Sequence, residues 1–346
     1  MLTTYLDHFP EGVVLLDEYR VLYVNAMAAH YLPQLVKDGP IPAALDLPGS
    51  ESTGAGIFSV GSTSYSFSRT ATEDGVFLFF RPAPQTALTD LQLEGALRQL
   101  RTFLGEFAME LSSHSDQSAP LSAECLADFS KSYHRAFRLV NNLDYLRQAA
   151  TAEGVPYSPT ALDLVDFCAR LTGDAGELLA HTGTELTFEC PLPVLLTRGD
   201  PKLLQTLLLG LIANSAQAAR GGKVSLRLQR RDNRALLHLS DSGTPLSQRE
   251  LAALLQQDND HALPLPNQGA GLGLSMARHI VSLHHGALLV EWGHAAPSIL
   301  ISLPITSDTH VMAQTHRADF TGGLNPLLVG LSDVLPAFLF GEESLS

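Results

Sequence analysis

The apolar positions change period three times along the chain. Near the amino end they alternate. "GVVLLDEYRVLYVN" predicts two strands joined at a polar turn around Asp17–Arg20. "SYSFSRTATEDGVFLFFRP" predicts a hairpin, with Phe77 and Phe79 alternating against Leu78 and Phe80 and a turn at Glu73–Gly75. Between them "NAMAAHYLPQL" predicts a short helix, and "RPAPQT" ends the segment. From residue 88 the spacing becomes helical. Leu93, Leu97, Leu100, Leu104, Phe107 and Leu111 step by four and three, a heptad seam. "SSHSDQSAP" breaks it, and a second helix carries Leu126, Phe129, Tyr133, Phe137 and Val140 on one stripe. Two such helices form an antiparallel hairpin with more apolar surface than it can hide. A four-helix bundle across a homodimer is the expected solution; a monomer packing the stripe on its own neighbouring domains is the alternative.

Residues 160–305 alternate between helical and strand patterns. "SPTALDLVDFCARLTGDAGELLA" predicts a helix with Ser158 or Thr160 near its cap, and "TELTFECP" predicts a strand. "DPKLLQTLLLGLIANSAQAA" predicts a long helix with Asp200 at the cap and Pro201 in the first turn. "GKVSLRLQRR" and "RALLHLSDSG" predict paired strands, and "GALLVEWG" and "SILISLPI" are expected to close the sheet. The fold class expected is multidomain α+β: a small sensor-like α/β module over 1–85, a helical hairpin over 88–150, an α/β sandwich over 155–308, and a tail over 309–346 with a short apolar helix.

Composition narrows the chemistry. The chain has 346 residues, 45% of them apolar, and a formal charge of −14 with no basic block, so nucleic acid is not expected as a partner. Cys125, Cys168 and Cys190 are far apart, which predicts buried thiols in a reducing compartment. "MLTTYLDHFPEG" turns acidic before any apolar core, and "NPLLVGLSDVLPAFLF" is too short and too interrupted to span a membrane. A cytoplasmic chain is expected.

Three pieces of the third segment could converge on one ligand. Asn214 sits inside the long helix, where its amide wants a partner and its oxygen could hold a divalent metal. Asp241 ends a strand before Ser-Gly, placed to accept a hydrogen bond from a ligand amine. In "GAGLGLSMARHIVSLHHG", Gly269, Gly271 and Gly273 let backbone approach closely, and the helix that follows offers N–H groups to phosphate. It is neither a dinucleotide fingerprint nor a P-loop.

These residues resemble the ATPase domain of sensor histidine kinases. "DPKLLQTLLLGLIANSAQAA" resembles their N box, "LSDSGTPL" their G1 box and "GAGLGLSMARHIVSLHHG" their G2 box. The hairpin resembles their dimerisation and phosphoacceptor domain, and 1–85 resembles a PAS domain with Asn25 at its frequent asparagine. The resemblance implies ATP held by Asn214, Asp241, Gly243, Gly269, Gly271, Leu272, Gly273 and Leu274, with Mg²⁺ on Asn214. It implies two-component signalling, a homodimer, and a response regulator or partner kinase; the ligand of the PAS-like segment is unknown.

The chain departs from that pattern at the acceptor. The family motif runs Phe-Leu-…-Ser-His-Glu-Leu, and here "FLGEFAMELSSH" places Met109 where the histidine belongs. A thioether is no phosphoryl acceptor. His114 and His134 are the available substitutes. Gly210, Gln217 and Pro245 also differ from the usual nucleotide site, and the segment between the boxes lacks the usual phenylalanine motif. Three readings follow: a degenerate sensor kinase that relays a signal by shape or contact, an active kinase with an unusual acceptor, and a nucleotide-free scaffold.

Overall fold

A computed structural model describes residues 6–7, 9–17, 20–42, 45, 53–61, 63–83, 90–114, 122–243, 272–292, 298–306 and 324–341. The alternating segment at the amino end forms β1 (Gly12–Leu16), β2 (Val21–Val24), helix α1 (Ala26–Tyr31), β3 (Thr53–Val60), β4 (Thr63–Thr72) and β5 (Gly75–Pro82). Asn25 joins two of these elements. Its Oδ1 accepts from the amides of Val13 and Ala28, capping α1, while its amide donates to the carbonyls of Leu6 and Glu11. All its capacity is used inside the fold, which accounts for an asparagine buried to 1% exposure.

The hairpin is α2 (Asp90–His114) and α3 (Ala123–Ala149), the latter capped by Ser122. Ala96 and Phe103 of α2 meet Leu139 and Leu146 of α3. The heptad seam lines this contact only in part: Leu100 packs against it and Phe107 meets Phe129 edge-on at 4.6 Å between ring centroids. Leu93, Leu97 and Leu104 on α2, and Leu126, Phe129, Tyr133 and Val140 on α3, lie exposed along the hairpin.

The third segment starts with β6 (Thr160–Asp163), where a helix capped near Ser158 or Thr160 is expected. Helix α4 (Leu164–Ala180) starts only after it. Asp163 explains the boundary: its Oδ1 accepts from Val165, capping α4, and from Leu195 beside the partner strand β8 (Leu196–Gly199). β7 (Glu185–Glu189) lies between them in sequence. Helix α5 (Pro201–Ala219) follows, then β9 (Lys223–Arg231) and β10 (Arg234–Asp241). Helix α6 (Leu272–Leu283), β11 (Ala287–Trp292), β12 (Ser298–Pro304) and α7 (Pro326–Leu331) complete the order, with a 3-10 turn at Ala337–Phe340.

Asp200 holds the start of α5. Its Oδ1 accepts from Lys202 and Leu203, its Oδ2 from Ser158, and its own amide donates to His284 Nε2. Asp200→Ala is therefore expected to lower stability by about 2 kcal/mol, the upper end for a lost cap, read as a shift in urea midpoint.

The sheet does not close at β11. β11 and β12 sit in its interior, and β11 continues into β3 to give one ten-stranded sheet, ordered β2-β1-β5-β4-β3-β11-β12-β10-β9-β7. Thr53 to Phe58 pair antiparallel with Trp292 to Ala287. The strands come together tightly: a Cβ on Gly56 would lie 1.8 Å from the Leu288 carbonyl oxygen, so glycine is required there. One core spans the junction, with Phe58, Tyr65, Phe67 and Phe80 on the amino-terminal side and Leu236, Leu289 and Leu300 on the other. Arg69 and Glu291 form a 2.7 Å ion pair across it, with side chains only 4% and 15% exposed. The opposite face of β9–β12 packs against α4, α5, α6 and α7 in a second core.

Candidate functional site

Helix α5 presents one short row of side chains and carbonyls to the two segments expected to bind the ligand. The row starts at Asn214, whose side chain is exposed although its neighbours Ala213 and Ser215 are buried. Across from it lies Gly273 of α6, where a Cβ would stand 3.9 Å from the Asn214 amide nitrogen. Next comes Ser215, whose hydroxyl is near enough to the Asp241 carboxylate to lower its pKa. One turn on, the Ala218 carbonyl faces Gly243. A Cβ on Gly243 would lie 2.9 Å from that oxygen and 2.6 Å from Asp241 Oδ1, so only glycine lets the turn press this closely on the helix. The Gly243 amide donates to Asp241 Oδ1 at 2.9 Å, which fixes the carboxylate.

Four of the anticipated residues, Asn214, Asp241, Gly243 and Gly273, thus gather along about one turn of α5. Gly269, Gly271 and Pro245 lie outside the described residues. Leu272 and Leu274 have other positions. Leu272 is buried among Ala96, Phe103, Leu139 and Leu146 of the hairpin, and Leu274 packs against the core beneath the sheet. Ser215 was not singled out by the sequence; its only signal was its place beside Asn214. Sequence also gave no sign of the contacts that seat α6 on the hairpin, where Tyr145 meets His279 at 2.8 Å and Gln92 donates to Ser275 at 2.8 Å.

Burial raises the pKa of Asp241 above the usual carboxylate range, while the Gly243 amide and the Ser215 hydroxyl pull it back. The folded chain therefore binds this proton more tightly than the unfolded chain. The group favours folding at acid pH and loses that contribution as pH rises through its folded pKa. Binding of an amine donor runs the other way, because only the ionised form accepts on both oxygens.

Among the described residues no cluster of three or more His, Cys, Asp or Glu could hold a metal. Asn214 offers one neutral oxygen at an exposed position. That suits Mg²⁺, which keeps several waters and takes its other ligands from phosphates.

The acceptor position stands apart from this row. Met109 is 75% exposed on α2. His134 is buried to 1% exposure, with Nδ1 2.7 Å from the Ser130 carbonyl and its ring against Phe340, so it has no access to a phosphoryl donor. His114 ends α2, and its side chain lies outside the described residues. Gly210 has open space around its Cβ position, and Gln217 is exposed.

Residues 199–311 match the family of histidine kinase-, DNA gyrase B- and HSP90-like ATPases. That range holds every residue of the row on α5 and the whole glycine segment. The circadian input-output histidine kinase CikA of Synechococcus elongatus is 35% identical over 97 residues, 27% of this chain and 13% of that protein. The sensor histidine kinase CusS of Escherichia coli O157:H7 is 26% identical over 176 residues, 49% of this chain and 35% of that protein. The chain thus matches well under half the length of either relative. Among solved structures, the Acinetobacter baumannii histidine kinase AdeS aligns with 60% of this chain and 98% of its own, at a TM-score of 0.48 and 16% identity. Over residues 199–311 the chain thus resembles this ATPase family, and the relatives to which it is similar are sensor histidine kinases.

Proposed function

We propose that the chain is a degenerate sensor kinase: it binds ATP with Mg²⁺ and relays a signal through conformation or partner contact, without autophosphorylation on histidine. The observation that carries this reading is the meeting of Asn214, Asp241, Gly243 and Gly273 along α5, together with an exposed Met109 at the expected acceptor position on α2. Asp241 would accept from the adenine amine. Asn214 would hold the metal through its side-chain oxygen, and the glycine segment from Gly269 to Leu274 would lie along the phosphates. The metal would neutralise phosphate charge when bound.

The exposed stripes on both hairpin helices support a homodimer, since Leu93, Leu97 and Leu104 line one helix and Leu126, Phe129 and Tyr133 the other. The likeness to sensor histidine kinases supports a response regulator or a partner kinase as the receiver. No described helix is long and apolar enough to cross a membrane. The buried position of His134 weighs against the reading in which an unusual histidine on α3 takes the phosphate.

Two measurements test the proposal. Calorimetric titration with a non-hydrolysable ATP analogue is expected to give saturable, magnesium-dependent binding, and incubation with labelled ATP is expected to leave no acid-labile phosphate on the chain. Absence of binding at millimolar analogue would favour the nucleotide-free scaffold; acid-labile phosphate would favour the active kinase. The Asp241 carboxylate adds a pH signature. Analogue affinity is expected to fall as pH is lowered from about 7, starting above the ordinary carboxylate pKa of about 3.9. Asp241→Asn is expected to bind more weakly and to flatten that profile.

A further inference from the structure

Residues 324–341 lie on the ATPase domain and reach past it to the hairpin, and the two contacts differ in kind. On the ATPase side the contact is apolar and closed. Leu327, Leu328, Leu331 and Leu335 enter the core beneath the sheet, and Gly330 sits so close to α5 that a Cβ would meet the Leu209 side chain at 2.9 Å. On the hairpin side the contact mixes charge with burial: Asp333 and Arg135 stay about a third exposed, while Phe340 and His134 are each only 1% exposed. Asp333 pairs with Arg135 at 3.2 Å and with Arg138, whose guanidinium also donates to the Gly330 carbonyl at 3.1 Å. Phe340 completes it, edge-on to His134 at 5.0 Å between ring centroids.

Arg135 extends this contact across the hairpin. It lies 3.6 Å from Glu106 of α2 and stacks 4.6 Å above the Phe103 ring. Glu106 is one helical turn from Met109. A continuous line, Glu106–Arg135–Asp333, therefore joins the acceptor turn of α2 to a segment rooted in the ATPase core.

We propose that the tail is a releasable hook: its leucines anchor it permanently to the ATPase domain, while Asp333 and Phe340 hold the hairpin and set where the acceptor turn stands relative to the nucleotide cleft. The asymmetry of the two contacts supports release on one side only. The Arg135–Asp333 pair, with a third of each side chain in water, is weak and screened by salt; Arg138 lies deeper at 23% exposure, and the four leucines are buried. A receiver that presented its own carboxylate to Arg135 and Arg138 would displace Asp333 and free the hairpin without touching the nucleotide site. This goes beyond the nucleotide reading and does not depend on it.

The test is hydrogen exchange on the full chain, comparing wild type with Asp333→Asn. The variant removes the charge and keeps the volume. Exchange over residues 103–107 and 131–139 is expected to rise by about tenfold, with the melting temperature and exchange in β9 and β10 unchanged. Salt at about 0.5 M should produce the same rise in wild type and add little to the variant. Phe340→Ala should act in the same direction and also lower the melting temperature, because Phe340 is buried in the core. Unchanged exchange in the hairpin of Asp333→Asn would overturn the proposal. Loss of the whole fold in Asp333→Asn would overturn it too, because the segment would then be core and not a hook. Analogue binding, or its absence, leaves the exchange result equally readable.

Discussion

Glu291→Ala is expected to destabilise the chain by up to about 3–5 kcal/mol, the range for removing one partner of a buried ion pair. Arg69 is the charge left behind. Its side chain is 4% exposed, and burial already lowers its pKa, with Glu291 the compensating influence. Glu291 also accepts from the Ser298 hydroxyl at 3.1 Å, so the truncation disturbs β11 and β12 together. The loss should not be confined to the amino-terminal strands. Phe58, Leu289 and Leu300 share one core across the junction, so circular dichroism and calorimetry are expected to report a single, earlier transition. Two separated transitions, with only the amino-terminal strands melting early, would mean that the junction is a contact between independent units. Replacing both partners by apolar residues, Arg69→Met with Glu291→Leu, is expected to recover much of the loss.

The second large effect concerns the ligand. Asn214→Ala is expected to lower affinity for the magnesium–nucleotide analogue by at least about 100-fold, roughly 2.7 kcal/mol, while leaving the melting temperature within a few degrees. The separation of the two readouts follows from exposure. Asn214 is exposed on a helix whose other face is buried, so its loss opens no cavity, and alanine is the better helix former. Calorimetry with and without magnesium checks it. A variant that binds as wild type does would remove Asn214 from the site. Equal loss with and without magnesium would assign it to the nucleotide and not to the metal.

Much of the candidate site was legible because its signals are local. Asp200-Pro201 marks a helix start, and Asn214 then sits four turns into α5 by counting. Asp241 ends an alternating run, and Gly243 follows in the tight turn. Each of these needs only a few neighbouring residues to be read. The junction between β3 and β11 was not legible. "TGAGIFSV" contains two glycines, which lower strand propensity and look like loop, yet they are there because Leu288 and Val290 of β11 press on them. A cause lying in a distant strand leaves no periodic trace at the position it acts on. The start of α4 was misplaced for a related reason. Ser158 is a good cap by type, but Asp163 takes that role because it also ties down Leu195. The tail gave its apolar helix readily and its partner not at all, since Arg135 and Arg138 look like ordinary solvated charges on α3.

The shared sheet also bears on how the chain is made. Phe58 pairs with Ala287, a partner about 230 positions later in the sequence. At ribosomal rates of roughly 5–20 residues per second, β3 is synthesised some 10–50 s before the strand that completes it. During that interval its edge, with unpaired amides and apolar neighbours such as Ile57 and Phe58, is open to any other extended chain. The nascent amino-terminal third is thus the part of this protein with most need of a chaperone, and the arrival of β11 is the event that ends the need.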